Sequence, residues 1–222
     1  MPHVRADKNE KYRDKNQSYD ACRIDSKDRG GYMTIHGPAE LVEDPNVALQ
    51  MLREGNERFT RGALIDKCAY SADRDILNSG QKPFAVVITC SDSRVAPELY
   101  FDQKLGDIFV IRNAGNIADT TALGSLEFAV AYLKSKLIAV IGHTGCGAVT
   151  AACGGGEVPP NIAHIINHIK PAIEKGGDVD ACIRANVENM VEKIKADDIV
   201  KNCNAMVVGA IYDIRSGRVN WL

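Results

Sequence analysis

A thiol, a carboxylate and a guanidinium occupy alternate positions in the segment "CSDSR", as Cys90, Asp92 and Arg94. The segment follows "FAVVIT" (84–89), whose β-branched residues predict a buried strand. Residues two apart in an extended chain lie on one face, so we expect the three side chains to point the same way. An ion pair between the carboxylate and the guanidinium is ordinary at a strand end, and the thiol beside it is not.

A second group of polar residues follows another predicted strand. The segment "GHTGCGA" comes directly after "LIAVI" and places His143 and Cys146 three residues apart among three glycines. Glycine adopts backbone conformations that other residues avoid, so this turn can curl around a small object. A metal ion is such an object.

The two strand ends together contain a ligand set for a metal. In an open parallel sheet, sites collect beyond the carboxyl ends of the strands. Cys90, His143 and Cys146 would supply two sulfurs and one imidazole, a set suited to Zn²⁺, with Asp92 as a fourth ligand in a closed state. Three protein ligands and a displaceable fourth are typical of a catalytic site. The alternatives are a structural zinc site with four permanent ligands, or two buried cysteines and a satisfied histidine.

Strands and helices alternate along the middle of the chain. Runs that are apolar on both faces and separated by helices predict an α/β fold, with a mostly parallel central sheet of about four strands plus an edge strand, flanked by helices. The predicted strands are 84–89, 107–111, 137–142 and 205–211, with an edge strand at "VNWL", and the clearest helices are 119–134 and 180–196.

The N-terminal part differs in composition from the rest. Residues 1–30 hold 14 charged side chains, so we expect residues 1–43 to form a polar arm and residues 44–222 a single zinc-binding catalytic domain. Asp44 and Pro45 predict the start of a helix, and Gly62 predicts its end.

Composition limits the classes of function. The chain has 222 residues and a net charge of −2, which gives no indication of a nucleic-acid partner. No apolar run approaches the ~20 residues of a membrane span, and the first residues lack the apolar core of a secretory signal. The seven cysteines are dispersed and odd in number, which favours a reducing cytoplasm.

The paired segments "CSDSR" and "GHTGCG" resemble those of the β-class carbonic anhydrases, and the resemblance extends over about residues 44–215. It implies a lyase (carbonate dehydratase) with Zn²⁺ as cofactor and with CO₂ and bicarbonate as ligands, which associates as a homodimer or homotetramer. By position, the family's zinc ligands correspond to Cys90, His143 and Cys146, its Asp–Arg dyad to Asp92 and Arg94, and its pocket residues to Gln81, Phe109 and Ala114.

The resemblance also implies a mechanism. CO₂ would be hydrated reversibly to bicarbonate and a proton by a zinc-bound hydroxide, which Asp92 orients while Arg94 holds Asp92 off the metal. Two thiolates cancel the formal charge of zinc, so we expect a weaker Lewis acid and activity that favours alkaline pH. In the family, the N-terminal helix packs on a neighbouring subunit and the active sites lie at the dimer interface.

Three positions depart from the family pattern. Val87 stands where some members have a tryptophan of a non-catalytic bicarbonate site, so such regulation is in doubt. Phe128 replaces a tyrosine, which removes a hydroxyl. Ala114 replaces a valine, which would widen the apolar pocket.

Other functions remain open from the residues alone. COS and CS₂ are also linear apolar triatomic molecules, so the same zinc site could hydrolyse them. A non-catalytic bicarbonate-responsive protein is a second alternative, although it has no need of Asp92 and Arg94. His164 and His168 have a spacing of four, which can bind metal, but no third ligand is evident in sequence. We expect a solvated or interfacial face there, with a proton shuttle as the minority reading.

Overall fold

The computed structural model describes residues 41–65, 74 and 77–222. Most of the predicted polar arm (1–43) lies outside these residues, as do Cys22 and Cys68.

A five-stranded sheet forms the centre of the described chain, in the order β2-β1-β3-β4-β5. The first four strands run parallel and β5 is antiparallel to β4, so the predicted fold is confirmed. The strands are β1 (Ala85–Cys90), β2 (Ile108–Asn113), β3 (Leu137–His143), β4 (Met206–Tyr212) and β5 (Val219–Trp221).

Helices cover both faces of the sheet. They are α1 (Pro45–Arg61), α2 (Pro97–Tyr100), α3 (Thr120–Ala131), α4 (Gly147–Gly154), α5 (Pro160–Ile173), α6 (Val179–Lys195) and α7 (Asp198–Asn202), with a short 3₁₀ turn at Ala114–Asn116. In the described part of the chain, no helix combines the length and the apolar character that crossing a membrane requires.

The central strands β1 and β3 are buried along their whole length. Alternate residues of β1 enter two hydrophobic clusters: Val86 and Ile88 pack on the side of α3 and α6, while Ala85 and Val87 pack on the side of α1 and α2. This is the pattern of a parallel sheet covered on both faces. It explains why these strands are continuous apolar runs in the sequence.

Helix α1 begins and ends where the sequence predicts. The Asp44 side chain accepts a hydrogen bond from the N–H of Asn46 at 2.8 Å, and Gly62 ends the helix in the left-handed region at φ 68°. Its apolar stripe packs within its own chain, because Leu52 is fully buried in the cluster on that side of the sheet. Val47 of the same stripe is half exposed, so the packing of α1 on a neighbouring subunit, which the resemblance implies, stays a prediction.

A buried amide fixes the position of α1. Asn56 donates hydrogen bonds to the carbonyls of Tyr100 at 2.9 Å and Gly217 at 2.8 Å. It also accepts one from the N–H of Val219 at 2.9 Å. These bonds join α1 to α2 and to the edge strand β5.

Candidate active site

The three predicted metal ligands come together at one edge of the sheet. The ligand atoms of Cys90, His143 and Cys146 all lie within 4.8 Å of one another, and all three residues are buried. Cys90 is the last residue of β1, His143 is the last residue of β3, and Cys146 immediately precedes α4. Because β1 and β3 are parallel neighbours, their carboxyl ends meet at this edge.

The imidazole of His143 leaves one nitrogen available for a cation. Its Nδ1 lies 3.1 Å from the carbonyl oxygen of Thr144, and a carbonyl only accepts hydrogen bonds. We therefore assign the proton to Nδ1, which leaves a lone pair on Nε2. Nε2 is buried and has no hydrogen-bond partner among the described residues. A buried, unpaired acceptor beside two thiols is what a metal site requires.

The two thiols lie within 4.8 Å of each other, and their pKa values shift in opposite directions. The hydrogen bond from Cys146 lowers the pKa of Cys90 to about 4, although burial opposes the shift, and His143 and the N–H of Gly115 lower it further. The pKa of Cys146 is raised, first by the bond to Cys90 and then by burial. The lowered pKa of Cys90 favours its thiolate, which is the form that binds a metal. The donor set and its geometry fit Zn²⁺.

Asp92 and Arg94 form a bidentate ion pair beside the cluster. Nε of Arg94 lies 2.9 Å from Oδ1 of Asp92, and its terminal nitrogen lies 2.7 Å from Oδ2. This hydrogen bonding from Arg94 holds the pKa of Asp92 well below its usual range. The carboxylate is therefore ionised at neutral pH.

The backbone conformation that joins this pair differs from the predicted one. The chain turns after Asp92 instead of continuing extended, since the N–H of Val95 bonds the carbonyl of Asp92 at 3.0 Å. The backbone N–H of Arg94 also donates to Oδ1 of Asp92 at 2.9 Å. The side chains meet because an aspartate accepts a bond from the second residue after it, a local preference that strand alternation does not describe.

The guanidinium of Arg112 supports the same turn from strand β2. Its Nε donates to the carbonyl of Cys90 at 3.2 Å, and a terminal nitrogen donates to the carbonyl of Asp92 at 2.8 Å. Arg112 thereby fixes the main chain on both sides of Ser91. From the sequence, Arg112 is expected to bond backbone near the site, but the two carbonyls that it reaches are not predictable, because the contacts span 20 and 22 residues and need the pairing of β1 with β2.

A second support reaches the sulfur of Cys90. The N–H of Gly115 points to Sγ of Cys90 at 3.4 Å, and the carbonyl of Gly115 accepts a 2.9 Å bond from Asn186 on α6. Gly115 has φ 76°, a conformation that favours glycine. A side chain there would also meet Ile169, 2.8 Å from its Cβ. No sequence pattern indicates Asn186, which lies in an amphipathic helix.

The predicted pocket residues are not all near the cluster. Ala114 directly follows β2 and precedes Gly115, so it lies at the correct edge. Phe109 is four residues before the end of β2, about 13 Å along the strand. Gln81 lies before the amino end of β1, at the edge opposite Cys90. Within one chain, neither Gln81 nor Phe109 joins the cluster, so their role in the pocket stays a prediction.

Comparisons with known proteins agree with this geometry. The family model described as carbonic anhydrase matches residues 85–219. A carbonic anhydrase of Mycolicibacterium smegmatis is 38% identical over 191 residues, covering 79% of this chain and 92% of that protein. Carbonic anhydrase 2 of Mycobacterium tuberculosis is 36% identical over 189 residues, with coverage of 79% and 91%.

Solved structures share the fold. A Coccomyxa β-carbonic anhydrase in complex with acetazolamide superposes with a TM-score of 0.64 at 28% identity, covering 78% of this chain and 86% of that one. A β-carbonic anhydrase of Aspergillus fumigatus gives a TM-score of 0.62 at 27% identity, covering 81% and 91%. An α/β sheet with a buried Cys–His–Cys cluster at its carboxyl edge defines a metalloenzyme class. Within that class, the chain belongs to the carbonic anhydrase family, β class.

Proposed function

We propose that this protein hydrates CO₂ reversibly to bicarbonate and a proton at the Cys90–His143–Cys146 cluster. One observation supports this most directly: the three buried ligands lie within 4.8 Å of one another, beside a carboxylate that Arg94 holds in a bidentate pair. The reaction needs an activated water and a group that orients it. The cluster accounts for the first and Asp92 for the second.

We propose Zn²⁺ as the cofactor, held by the sulfurs of Cys90 and Cys146 and by Nε2 of His143. When bound there, zinc supplies a Lewis acid that lowers the pKa of a water molecule toward neutrality. The protein contributes the unpaired nitrogen of His143 and the Gly115 N–H that stabilises negative charge on Cys90.

Asp92 is suited to orient a reacting water. An ionised carboxylate only accepts hydrogen bonds, at about two positions on each oxygen. Oδ1 receives both Nε and the backbone N–H of Arg94, whereas Oδ2 receives the terminal nitrogen alone. Oδ2 therefore has room for one more donor. A water O–H bonded there would have its oxygen lone pair directed away from Asp92, toward CO₂.

Arg94 and Arg112 keep Asp92 in this position. If Asp92 turned onto the metal as a fourth ligand, it would lose the two-point contact with Arg94, whose bonds are charge-assisted. Arg112 restrains the backbone of the same residue through its carbonyl. We therefore assign the catalytic state to the arrangement in which Arg94 holds Asp92.

We propose that the protein self-associates, as a homodimer or homotetramer. Several large apolar side chains are about half exposed, among them Val47, Leu99 and Leu105, and such residues are frequent at interfaces. A place for Gln81 and Phe109 in the pocket requires a second copy, since neither lies near its own chain's cluster. Light scattering of the zinc-loaded protein measures the assembly directly, and a monomer with full activity would contradict the proposal.

Cysteine usage supports a cytoplasmic location. The five cysteines of the described chain, Cys90, Cys146, Cys153, Cys182 and Cys203, are free thiols. A thiol-ligated metal site is best preserved in a reducing compartment.

Stopped-flow CO₂ hydration, with zinc measured on the same sample, tests the function. We expect about one zinc per chain and activity that rises toward alkaline pH. COS hydrolysis is measured beside it. A zinc-loaded protein that hydrolyses COS but does not hydrate CO₂ would overturn the proposed substrate and retain the site.

A further inference from the structure

A second cluster of potential metal ligands lies apart from the Cys90 site, on helices α3 and α5. His164 and His168 are one turn apart on α5, with their ring centroids 4.8 Å apart. Nε2 of His164 lies 3.7 Å from Oδ2 of Asp119, the residue that caps the N-terminus of α3. The tertiary structure thus supplies the third ligand that the sequence does not reveal, because Asp119 is 45 residues from His164.

The distances are close to those of a tetrahedral site. With metal–nitrogen and metal–oxygen bonds near 2.1 Å, neighbouring ligand atoms are about 3.4 Å apart and the centroids of two ligating imidazoles about 5 Å apart. The observed 3.7 Å and 4.8 Å lie near both values. The three ligand atoms do not converge as tightly as those of the Cys90 cluster, so the two imidazoles must rotate about their side-chain bonds to meet one ion.

Asp119 can cap helix α3 with one carboxylate oxygen and bind a cation with the other. Its Oδ1 accepts the N–H of Ala122 at 2.9 Å, while Oδ2 is the oxygen that lies near His164. The His164 side chain is 60% exposed and that of Asp119 is 24% exposed, so an ion from solvent can reach the cluster and keep water ligands. The cap holds the carboxylate in place, which lowers the entropy lost on binding.

Two charged side chains near His168, those of Lys193 and Asp119, have opposite effects on the binding of a cation. Burial lowers the pKa of His168, and the charges of Lys193 and His164 lower it further. The positive charge of Lys193 also repels a cation. The carboxylate of Asp119 offsets this repulsion, since it acts on the same imidazole with the opposite sign.

We propose that Asp119, His164 and His168 form a second site for a divalent transition-metal cation that prefers imidazole and carboxylate ligands. Two histidines at positions i and i+4 of a helix, with a carboxylate, suit Zn²⁺, Ni²⁺ and Cu²⁺. The bound ion would join α5 to the N-terminus of α3. Ile169, next to His168, packs against Gly115, so the ion would also stiffen the segment that supports Cys90.

Nickel titration of the tag-free full chain, loaded with one equivalent of zinc so that only the Cys90 cluster is filled, tests this site. Ni²⁺ is the probe because it does not oxidise thiols, and zinc already occupies Cys90 and Cys146. Calorimetry should show a binding event that weakens about tenfold or more in His164→Gln, in His168→Gln and in Asp119→Asn. Asn keeps the helix cap but removes the charged ligand. Asn167→Gln, an exposed change on the same helix, should bind nickel as the wild type does.

A charge variant distinguishes this site from other histidines of the chain. Lys193→Gln removes the repelling charge without touching a ligand, so it should tighten nickel binding at this site and at no other. Nickel should also raise the melting temperature of the wild type but not of the His164→Gln/His168→Gln double variant. Binding that is equal in wild type and double variant, or indifferent to Lys193→Gln, would overturn the proposal. Neither result depends on CO₂ hydration.

Discussion

The side-chain amide of Asn186 donates a 2.9 Å hydrogen bond to the carbonyl of Gly115, across 71 residues of sequence. The N–H of Gly115 in turn points to Sγ of Cys90 at 3.4 Å. Asn186 therefore positions a donor for the sulfur of Cys90, a predicted metal ligand, without itself joining the cluster. Residues that orient ligands in this way tune affinity for the ion.

Replacing Asn186 should weaken metal binding. In Asn186→Ala the Gly115 peptide loses its restraint, and we expect zinc affinity to fall by about tenfold. The measurement is competition with a chromophoric chelator. The control is Asn189→Ala on the same helix, since Asn189 bonds Lys175 at 2.6 Å and not this loop. A lower melting temperature with unchanged zinc affinity would mean that Asn186 is only structural.

Replacing Cys146 should remove most of the zinc and the activity, because it takes away one of three protein ligands. Cys146→Ser is compared with Cys153→Ser, which changes a half-buried thiol at the other end of the same helix. The control should keep about one zinc per chain. X-ray absorption at the zinc edge of the wild type should show sulfur neighbours, and their absence would refute the ligand assignment.

Removing the guanidinium of Arg94 should abolish most activity while zinc is retained. Arg94→Ala is expected to lose about 10²-fold in turnover, as for loss of a group that orients the transition state. Arg94→Lys should recover little, because an ammonium cannot form the two-point contact. Arg61→Ala, which removes an exposed pair with Glu57, is the control.

The pH profile of Arg94→Ala shows whether activity falls because Asp92 loses its position or because Asp92 loses its charge. The Arg94 bond lowers the pKa of Asp92, so this carboxylate stays ionised from about pH 6.5 to 9.5, and its ordinary pKa of about 3.9 in Arg94→Ala leaves it ionised as well. The variant should therefore be slower at every pH in that range, with no new titration from Asp92. Near wild-type turnover with full zinc would show that the dyad mechanism is wrong.

The hydrogen bonds that the guanidinium of Arg112 donates to backbone carbonyls beside the cluster should contribute to activity. Arg112→Lys keeps the charge but loses one of the two bonds to the carbonyls of Cys90 and Asp92. We expect about a tenfold loss in turnover, corresponding to about 1.4 kcal/mol for one such bond. Zinc content, measured on the same samples, should be unchanged. If Arg112→Lys is fully active, the turn is held sufficiently by Asp92 and Arg94 alone.

Helix α1 should stabilise its own chain. Leu52 is fully buried, so Leu52→Ala should lower the free energy of unfolding by about 2–5 kcal/mol. Glu54→Ala, on the exposed face of the same helix, should change it by less than about 0.5 kcal/mol. Urea unfolding measures both variants. Equal effects would contradict the packing of α1 described above.

Deleting residues 1–60 also removes this helix. The product should aggregate or become an inactive monomer, because the apolar surface beneath α1 is exposed. Since that surface belongs to the same chain, this deletion reports folding as well as assembly. A soluble, fully active product would contradict a structural role for α1.

The sequence alone determined the strands, the sheet type and the three residues that form the cluster. Runs such as "LIAVIG" are apolar at every position, which is the sequence pattern of a strand that is buried on both faces. Parallel strands place their carboxyl ends at one edge, so residues that follow two strands were expected to meet there. Cys90, His143 and Cys146 did meet, because their positions follow directly from strand boundaries.

Only the tertiary structure decided which residues support that cluster. Arg112, Gly115 and Asn186 act through contacts between elements distant in sequence, and no local pattern encodes such contacts. The same holds for Asp119, which completes a cluster with His164 and His168, and for Gln81, whose distance from Cys90 depends on strand direction. Periodicity records which face of an element is buried, whereas the partner on that face is set by how the elements pack together.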